Sequence, residues 1–405
     1  MSIRRHWPLV LVGLMAFAFL VYQIPAVKAR VEWRLDAAIV YLRNWLAPAG
    51  ELPPPQVENS SAPLATAGGI ANPTPAPTPI AQVTPTALPG AVQLVAPAHE
   101  FQGANNCGPA TLAMYLRYYG WEGDQYDISD EVKPVNADRN VNPDELIYYA
   151  SNWAGWAKTA FRVGGSIELI KELLAAGIPV MIEEGEIILN QGPNDDNWAA
   201  HYILITGYDD GSGSFTYQDS FRGPDQAKTY DEVDEYWQQF NRIYILAYLP
   251  DQEETVKAIL GADWDEDTNR QNALAMAQAE TVADPQNAYA WFNVGMNQVY
   301  FEEYGAAAAS FDQARAIGLP MRMLRYQFGP FFADYHTNRL DDLEQLVDYA
   351  LQVTPNSEDV MLWKGWLLYK RGDINGAAEQ FRLAREANPN SIYVEQALNF
   401  LGATP

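Results

Sequence analysis

The order of apolar and polar positions divides the chain into stretches of different character. Residues 7–26 are uncharged and almost wholly apolar, and residues 31–46 place apolar side chains at helical spacing. Residues 48–90 have no period and are rich in proline. Beyond residue 91 helical and strand-like periods alternate, and beyond residue 253 the pattern is helical. The pattern therefore predicts an apolar N-terminal segment, a linker, an α+β domain and an all-α region.

The apolar run near the N-terminus predicts a membrane anchor. An uncharged run of about twenty residues has the length that crosses a bilayer, and Arg4 and Arg5 precede it, which favours a cytoplasmic N-terminus. We therefore expect residues 1–27 to form a cytoplasmic tip and a transmembrane helix. A signal peptide cleaved at residues 27–29 is the alternative. Both interpretations place the rest of the chain outside the cytoplasm, as a single-pass cell-membrane protein or as a secreted one.

The next two segments connect this anchor to the folded part. Residues 28–47 are predicted to form an amphipathic juxtamembrane helix, because their apolar side chains recur at helical spacing and arginines lie among them. Residues 48–90 contain eleven of the 27 prolines, with many alanines and threonines. Such a composition cannot form a packed core and gives an extended, semi-stiff linker. We expect this linker to hold the following domains away from the membrane surface.

Residues 91–250 combine helical and strand periods, as is typical of a compact α+β domain. Helices are predicted over residues 108–119, 143–150, 166–176 and 230–240. Strands are predicted over residues 178–182, 202–208, 214–217 and 243–248. The segment 209–213 reads DDGSG, so the second and third of these strands should form a hairpin.

Composition and charge exclude several classes of function. Apolar residues make up 48% of the chain and aromatic residues 12%, which is enough for packed cores. The net charge of −25 argues against a nucleic-acid partner, since phosphate binding requires a basic face. Residues 1–46 hold six basic and two acidic residues, so the acidic excess belongs to the remainder. With one cysteine and no regular calcium-loop spacing, we expect no metal ion and no cofactor.

The single cysteine is the candidate nucleophile. Cys107 lies where a loop becomes a helix, and the free N–H groups and positive dipole end there stabilise a thiolate. His201 opens an apolar strand and Asp219 ends its hairpin partner, so both should lie at one end of the sheet, as a base and its orienting acid. The side-chain amide of Gln102 could stabilise an oxyanion. His99 stays open as an alternative base.

These residues resemble the C39-like cysteine peptidase domains of bacteria. The resemblance rests on Gln102 with the segment NCGPA at residues 106–110, on His201-Tyr202, and on the YQD of residues 217–219. It covers about residues 91–250 and implies a papain-like α+β fold. It also implies Cys107 as nucleophile, His201 as base, Asp219 as orienting acid and Gln102 as oxyanion donor. The best-known members of the family cleave leader peptides.

The C-terminal region resembles tetratricopeptide repeats. Prolines stand at positions 285, 320, 355 and 389, which is close to the repeat period of that family. Small residues such as Gly295 and Gly365 recur one helix before the aromatic residues Phe311 and Phe381. The resemblance covers about residues 253–402 and implies an all-α solenoid with a concave groove for a protein partner.

Together these features predict an extracytoplasmic, membrane-tethered cysteine peptidase that hydrolyses peptide bonds with a Cys-His-Asp triad. The repeats would bind a peptide or protein substrate, or a partner protein. The alternative is a catalytically inactive, C39-like peptide-binding domain in a membrane-anchored scaffold. A reactive Cys107 thiolate separates the two hypotheses.

Overall fold

The computed structural model describes residues 7–22, 42, 46, 52, 88–135, 140–187 and 198–403. Near the N-terminus it has one apolar helix, α1 (Trp7–Tyr22). The transmembrane helix predicted within residues 1–27 is not found, because no helix in the described parts of the chain is long and apolar enough to cross a membrane. The juxtamembrane helix predicted over residues 28–47 and the linker over residues 48–90 lie almost entirely outside the described residues.

One antiparallel sheet organises the first folded unit. Its seven strands are β1 (Ala91–Gln93), β2 (Lys158–Arg162), β3 (Val180–Ile187), β4 (Trp198–Asp209), β5 (Ser214–Asp219), β6 (Gly223–Thr229) and β7 (Tyr244–Tyr248). The order is β2-β7-β3-β4-β5-β6, and β1 also pairs with β4. The predicted hairpin is confirmed, since β4 and β5 pair from Asp209 and Ser214 at the turn to Leu204 and Gln218.

Helices cover both faces of this sheet. They are α2 (Cys107–Tyr118), α3 (Gln125–Val132), α4 (Pro143–Asn152), α5 (Ile167–Ala175), α6 (Tyr230–Gln238) and α7 (Glu253–Leu260). Side chains of β4 alternate between two cores, as a pleated strand requires. Tyr202 and Leu204 pack with α2, α3 and α4, whereas Ile203 and Ile205 pack with α5, α6 and α7. The first unit therefore has two apolar layers around one central sheet.

Local capping explains where the predicted helices begin and end. The prediction for α4 is confirmed, with Pro143 in the first turn and Glu145 accepting from the Asn142 N–H at 2.8 Å. The prediction for α5 is also confirmed. The Ser166 hydroxyl accepts from the Leu169 N–H at 3.1 Å, and Gly177 follows the helix with a φ of +80°. The helix predicted over residues 108–119 is observed as α2, beginning at Cys107.

The remaining chain is helical. It forms α8 (Glu266–Ala283), α9 (Ala288–Tyr300), α10 (Tyr304–Ile317), α11 (Gly329–His336), α12 (Leu340–Val353), α13 (Glu358–Lys370), α14 (Ile374–Ala387) and α15 (Ile392–Phe400). The four periodic prolines come two or three residues after α8, α10, α12 and α14, where proline blocks further helix. A Cβ added at Gly295 would lie 2.6 Å from the Phe311 ring, and one added at Gly365 would lie even closer to the Phe381 ring. Glycine therefore lets each helix pair approach closely.

The helical region packs directly on the sheet unit. Trp198 and Phe240 of the sheet unit share one apolar cluster with Phe292 and Phe311 of the helical region. Asn241 donates its side-chain amide to Asn297 at 3.0 Å across the same contact. The two units therefore form a continuous core, and we expect them to stabilise each other.

Candidate active site

The loop before α2 is shaped so that Cys107 becomes the first residue of a helix. Asn105 adopts a left-handed backbone, with a φ of +48°. The ammonium group of Lys133 donates to the Asn105 carbonyl at 3.1 Å. The side chain of Gln125, in α3, accepts from the side-chain amide of Asn106 at 2.8 Å. These contacts hold Cys107, which is partly exposed, at the positive end of the α2 dipole.

His201 and Asp219 meet at one end of the sheet, as the hairpin predicts. The Nε2 atom of His201 lies 2.8 Å from Oδ1 of Asp219, and the two side chains are only 2% and 0% exposed. His201 is also close enough to Cys107 for its charge and hydrogen bonding to change the pKa of the thiol. The structure therefore brings the predicted nucleophile, base and orienting acid together.

The electrostatics of these three groups favour charge separation. Burial raises the pKa of the Cys107 thiol, whereas the hydrogen bond and the positive charge of His201 lower it. The lowering effects together are larger, so the pKa lies below its usual value. Burial lowers the pKa of His201, but the charge and hydrogen bond of Asp219 raise it to about 10. Burial also raises the pKa of the Asp219 carboxyl group, but His201 and two backbone N–H groups hold this pKa well below its usual range. A thiolate, an imidazolium and a carboxylate are therefore favoured side by side.

Asp219 is fixed by donors on both of its oxygens. The Oδ1 atom accepts from the backbone N–H groups of Phe221 at 2.7 Å and Arg222 at 3.0 Å, in addition to His201. The Oδ2 atom accepts from the Arg222 guanidinium at 3.0 Å. Arg222 also donates to Glu186 at 2.5 Å. The carboxylate therefore cannot rotate away from the imidazole without breaking several charge-assisted hydrogen bonds.

A buried ion pair continues this charge network along β3. The ammonium group of Lys228 donates to Glu186 at 3.2 Å and also binds Glu184. Glu184 is fully buried and pairs with His201 in the register of β3 and β4. Carboxylates and cations thus alternate from Asp219 through Arg222, Glu186 and Lys228 to Glu184.

Gln102 lies beside the residue that follows the acid. Its backbone N–H donates to the Ser220 carbonyl at 2.9 Å, and its Oε1 atom accepts from the Ser220 hydroxyl at 2.8 Å. The Ser220 contact leaves the Nε2 amide, which is the donor of this side chain, as the group that Gln102 can offer to an oxyanion. The alternative base His99 is placed differently: its Nε2 lies 2.8 Å from the backbone carbonyl of Asp219, not from the carboxylate.

Sequence reasoning missed the residues that hold the site together. The sequence holds a weak indication that Arg222 contacts Asp219, because Arg222 follows it by three residues within a turn. It holds no such indication for Glu186, Lys228 or Gln125, because their contacts join different elements of the fold. Within the described residues no group of three or more metal-ligating side chains could hold an ion.

Comparison with protein families gives a match over most of the sheet unit. Residues 86–247 match the model of the Peptidase_C39 like family. The match includes Cys107, His201 and Asp219 and extends over nearly all of the sheet unit. The resemblance to C39-like domains inferred over residues 91–250 is therefore confirmed, while the comparison covers nothing of the helical region.

Solved structures that match part of the chain include one described as a C39-like peptidase from Bacillus anthracis, with 19% identity and a TM-score of 0.30. That match covers 40% of this chain and 96% of the other. Xylellain, a cysteine protease from Xylella fastidiosa, has 15% identity and a TM-score of 0.32, with coverages of 40% and 87%. YrrB, a TPR protein with an unusual peptide-binding site, has 16% identity and a TM-score of 0.28, with coverages of 36% and 81%. No curated protein matches the chain. Residues 86–247 thus match a C39-like peptidase family, and a helical region follows them along the chain.

Proposed function

We propose that the protein is a cysteine peptidase in which Cys107, His201 and Asp219 act together to hydrolyse peptide bonds. The observation that carries the proposal is the buried 2.8 Å contact between His201 and Asp219 beside a cysteine at a helix start. The family match over residues 86–247 supports the same chemistry. Peptide bonds are the proposed substrate class, because the family that residues 86–247 match is a family of peptidases.

In the proposed reaction the Cys107 thiolate attacks the carbonyl carbon and forms a C–S bond. The backbone N–H of Cys107 and the Gln102 side-chain amide stabilise the oxyanion. His201 gives its proton to the leaving nitrogen as the C–N bond breaks, which leaves a thioester. Water then attacks the thioester, His201 takes the proton of that water, and the thiolate is released. Asp219 orients the imidazole throughout and stabilises its positive charge.

The first experiment compares the peptides that accumulate around cells that produce the wild type or Cys107→Ala. We expect a set of cleavage products in the wild type that the variant lacks, because alanine provides no nucleophile. A second variant, Cys107→Ser, keeps the shape of the side chain with a far weaker nucleophile and should resemble alanine. Equal amounts of folded protein are verified by circular dichroism. Identical peptide sets from all three proteins would favour the alternative of an inactive peptide-binding scaffold.

We also propose that the N-terminal segment attaches the protein to the cell membrane, with the folded units outside the cytoplasm. Support comes from the uncharged run of residues 7–26 and from Arg4 and Arg5 before it, which favour a cytoplasmic N-terminus. Protease added to intact spheroplasts should then digest the folded units. Full protection in intact spheroplasts would contradict this placement, and a new N-terminus near residue 28 would identify the secreted alternative.

The helical region is proposed to act as a tetratricopeptide-like module that binds the substrate or a partner protein. Support comes from the proline period and from the paired helices with glycine facing an aromatic ring. The helices that begin each pair also contribute side chains to a space shared with the peptidase domain. Such a position suits a module that presents a peptide to the neighbouring domain.

A further inference from the structure

The segment that joins the oxyanion donor to the nucleophile lies outside the helices and strands. It runs over residues 101–106, with Gln102 as its second residue, and Cys107 follows it as the first residue of α2. Donors that stabilise an oxyanion lie about 2.7–3.1 Å from it. Gln102 can therefore act only if this irregular segment is held at a fixed position relative to the sulfur.

One glutamine of α3 binds the backbone on both sides of Gln102. The Nε2 group of Gln125 donates to the Phe101 carbonyl at 2.9 Å, and its Oε1 atom accepts from the Gly103 N–H at 2.7 Å. Gln125 is the first residue of α3 and is only 3% exposed. Both ends of this buried carboxamide therefore hold the residues next to the oxyanion donor.

The same side chain also binds the residue before the nucleophile. Oε1 of Gln125 accepts from the Asn106 side-chain amide at 2.8 Å. Asn106 is the N-cap of α2 and directly precedes Cys107. One carboxamide therefore connects the backbone around Gln102 to the start of the helix that carries the sulfur, and so it fixes the separation of the donor from the nucleophile.

Lys133 supports the middle of this segment from the other end of α3. Lys133 is the residue that follows α3, and its ammonium group donates to the carbonyls of Ala104 at 3.3 Å and Asn105 at 3.1 Å. Asn105 has a φ of +48°, so the chain turns sharply there. The contacts from α3 thus define the path of the backbone, whereas a different residue orients the Gln102 amide.

That residue is Ser220, which directly follows the orienting acid. Ser220 is fully buried, and its hydroxyl donates to Oε1 of Gln102 at 2.8 Å. Its carbonyl accepts from the Gln102 backbone N–H at 2.9 Å. A rotation that exchanged the oxygen and nitrogen of the amide would break the hydroxyl contact and present an acceptor to the oxyanion. Ser220 therefore favours the orientation in which the amide can donate.

We propose that Gln125 and Ser220 are positioning residues for the oxyanion site. Gln125 holds the backbone around Gln102, and Ser220 orients its side-chain amide. The inference rests on the proposed peptidase function, because both residues act through Gln102 and not on the substrate. Their loss should therefore weaken the stabilisation of the transition state.

The nucleophile depends on other groups. The pKa of the Cys107 thiol is lowered by His201 and by backbone hydrogen bonds from Tyr202 and Gly108. A variant that disturbs only the oxyanion site should therefore keep the pH dependence of Cys107 alkylation. Slower turnover with an unchanged thiolate is the result that distinguishes the proposed role from a general loosening of the site.

The test is a double-mutant cycle in the full-length protein, with a peptide substrate identified in the comparison with Cys107→Ala. Gln125→Met keeps the length of the side chain without its amide. Methionine is preferred to glutamate because Glu100 interacts with this side chain and would repel a second carboxylate. We expect Gln125→Met to lower kcat and kcat/KM alike, by about 10-fold to 100-fold.

The same change should have little effect once the donor itself is absent. Gln102→Ala should lower kcat by about 10²-fold to 10³-fold. Addition of Gln125→Met to Gln102→Ala should then cost less than about two-fold, because the two residues act as one unit. A residue with a merely structural role would reduce the rate by the same factor in both backgrounds.

Ser220→Ala is the second variant and should show the same pattern, so that one variant remains if the other is unstable. Gln271→Met is the matched control, because Gln271 is exposed on α8. Circular dichroism and the midpoint of Cys107 alkylation verify the fold and the nucleophile. Wild-type rates in both variants, losses that add fully to that of Gln102→Ala, a shifted alkylation midpoint, or an equal loss in the control would overturn the inference alone. A wild type that cleaves no peptide would overturn the proposed function as well, so the two failures are distinguishable.

Discussion

Replacement of His201 by alanine is expected to lower kcat/KM for peptide hydrolysis by about 10³-fold or more, as loss of the base does in related triads. The imidazole has three roles that alanine cannot take: it lowers the pKa of the Cys107 thiol, protonates the leaving nitrogen and later activates water. The variant should fold, because the large apolar cores on both faces of the sheet do not depend on this side chain. The measurement is the rate of cleavage of a substrate identified from the peptide comparison.

His99→Ala is the matched control for this prediction. His99 lies 2.8 Å from the backbone carbonyl of Asp219, so it is a second imidazole in the same neighbourhood. Because it does not contact the carboxylate, we expect its loss to reduce activity far less. A wild-type rate in His201→Ala, or an equal loss in His99→Ala, would contradict the assigned roles.

Replacement of Asp219 by alanine should impair both activity and stability. Activity should fall by about 10²-fold to 10⁴-fold, because the imidazole loses its orientation and its charge stabilisation. The free energy of unfolding should fall by about 3 kcal/mol, since a fully buried carboxylate that binds His201 and Arg222 is removed from its partners. The measurements are kcat/KM and urea unfolding at neutral pH.

The stability effect of Asp219 should depend on pH in a defined direction. Its pKa in the folded protein lies well below that of an unfolded aspartate, so its contribution is present above about pH 4 and is lost as the pH falls further. The difference in unfolding free energy between wild type and Asp219→Ala should therefore narrow in acid. Asp219→Asn keeps an acceptor for the Nε2–H of His201 and should retain more activity than alanine. Equal stability of wild type and Asp219→Ala at pH 7 would contradict the described network.

The sequence predicted the parts of the site that depend on local pattern. Cys107 stands at the helix start because proline and small residues follow it, and the DDGSG turn brings His201 and Asp219 to one end of β4 and β5. The sequence did not predict β2, β6 or α3, because short polar segments carry no clear period. The contact between Arg222 and Glu186 also escaped prediction, since it depends on how distant strands align.

The contacts between the two folded units could not be predicted from the sequence. The proline period indicated helix pairs, and the observed helix ends agree with it. No local pattern indicated that Phe240 would share a core with Phe292, or that Asn390 would bind the Glu131 carbonyl. The space that both units line follows from these long-range contacts, so only the three-dimensional structure reveals it.

The most direct test of the central claim is the pH dependence of Cys107 alkylation by iodoacetamide. All label reports on this residue, because the chain has one cysteine. We expect a midpoint below the usual thiol pKa of about 8.5 in the wild type, with a second change near pH 10 as the His201 imidazolium loses its proton. In His201→Ala the imidazolium no longer opposes the effect of burial, so the midpoint should lie higher than in the wild type. A wild-type midpoint at or above that of a free thiol, unchanged in His201→Ala, would contradict a reactive Cys107–His201 pair.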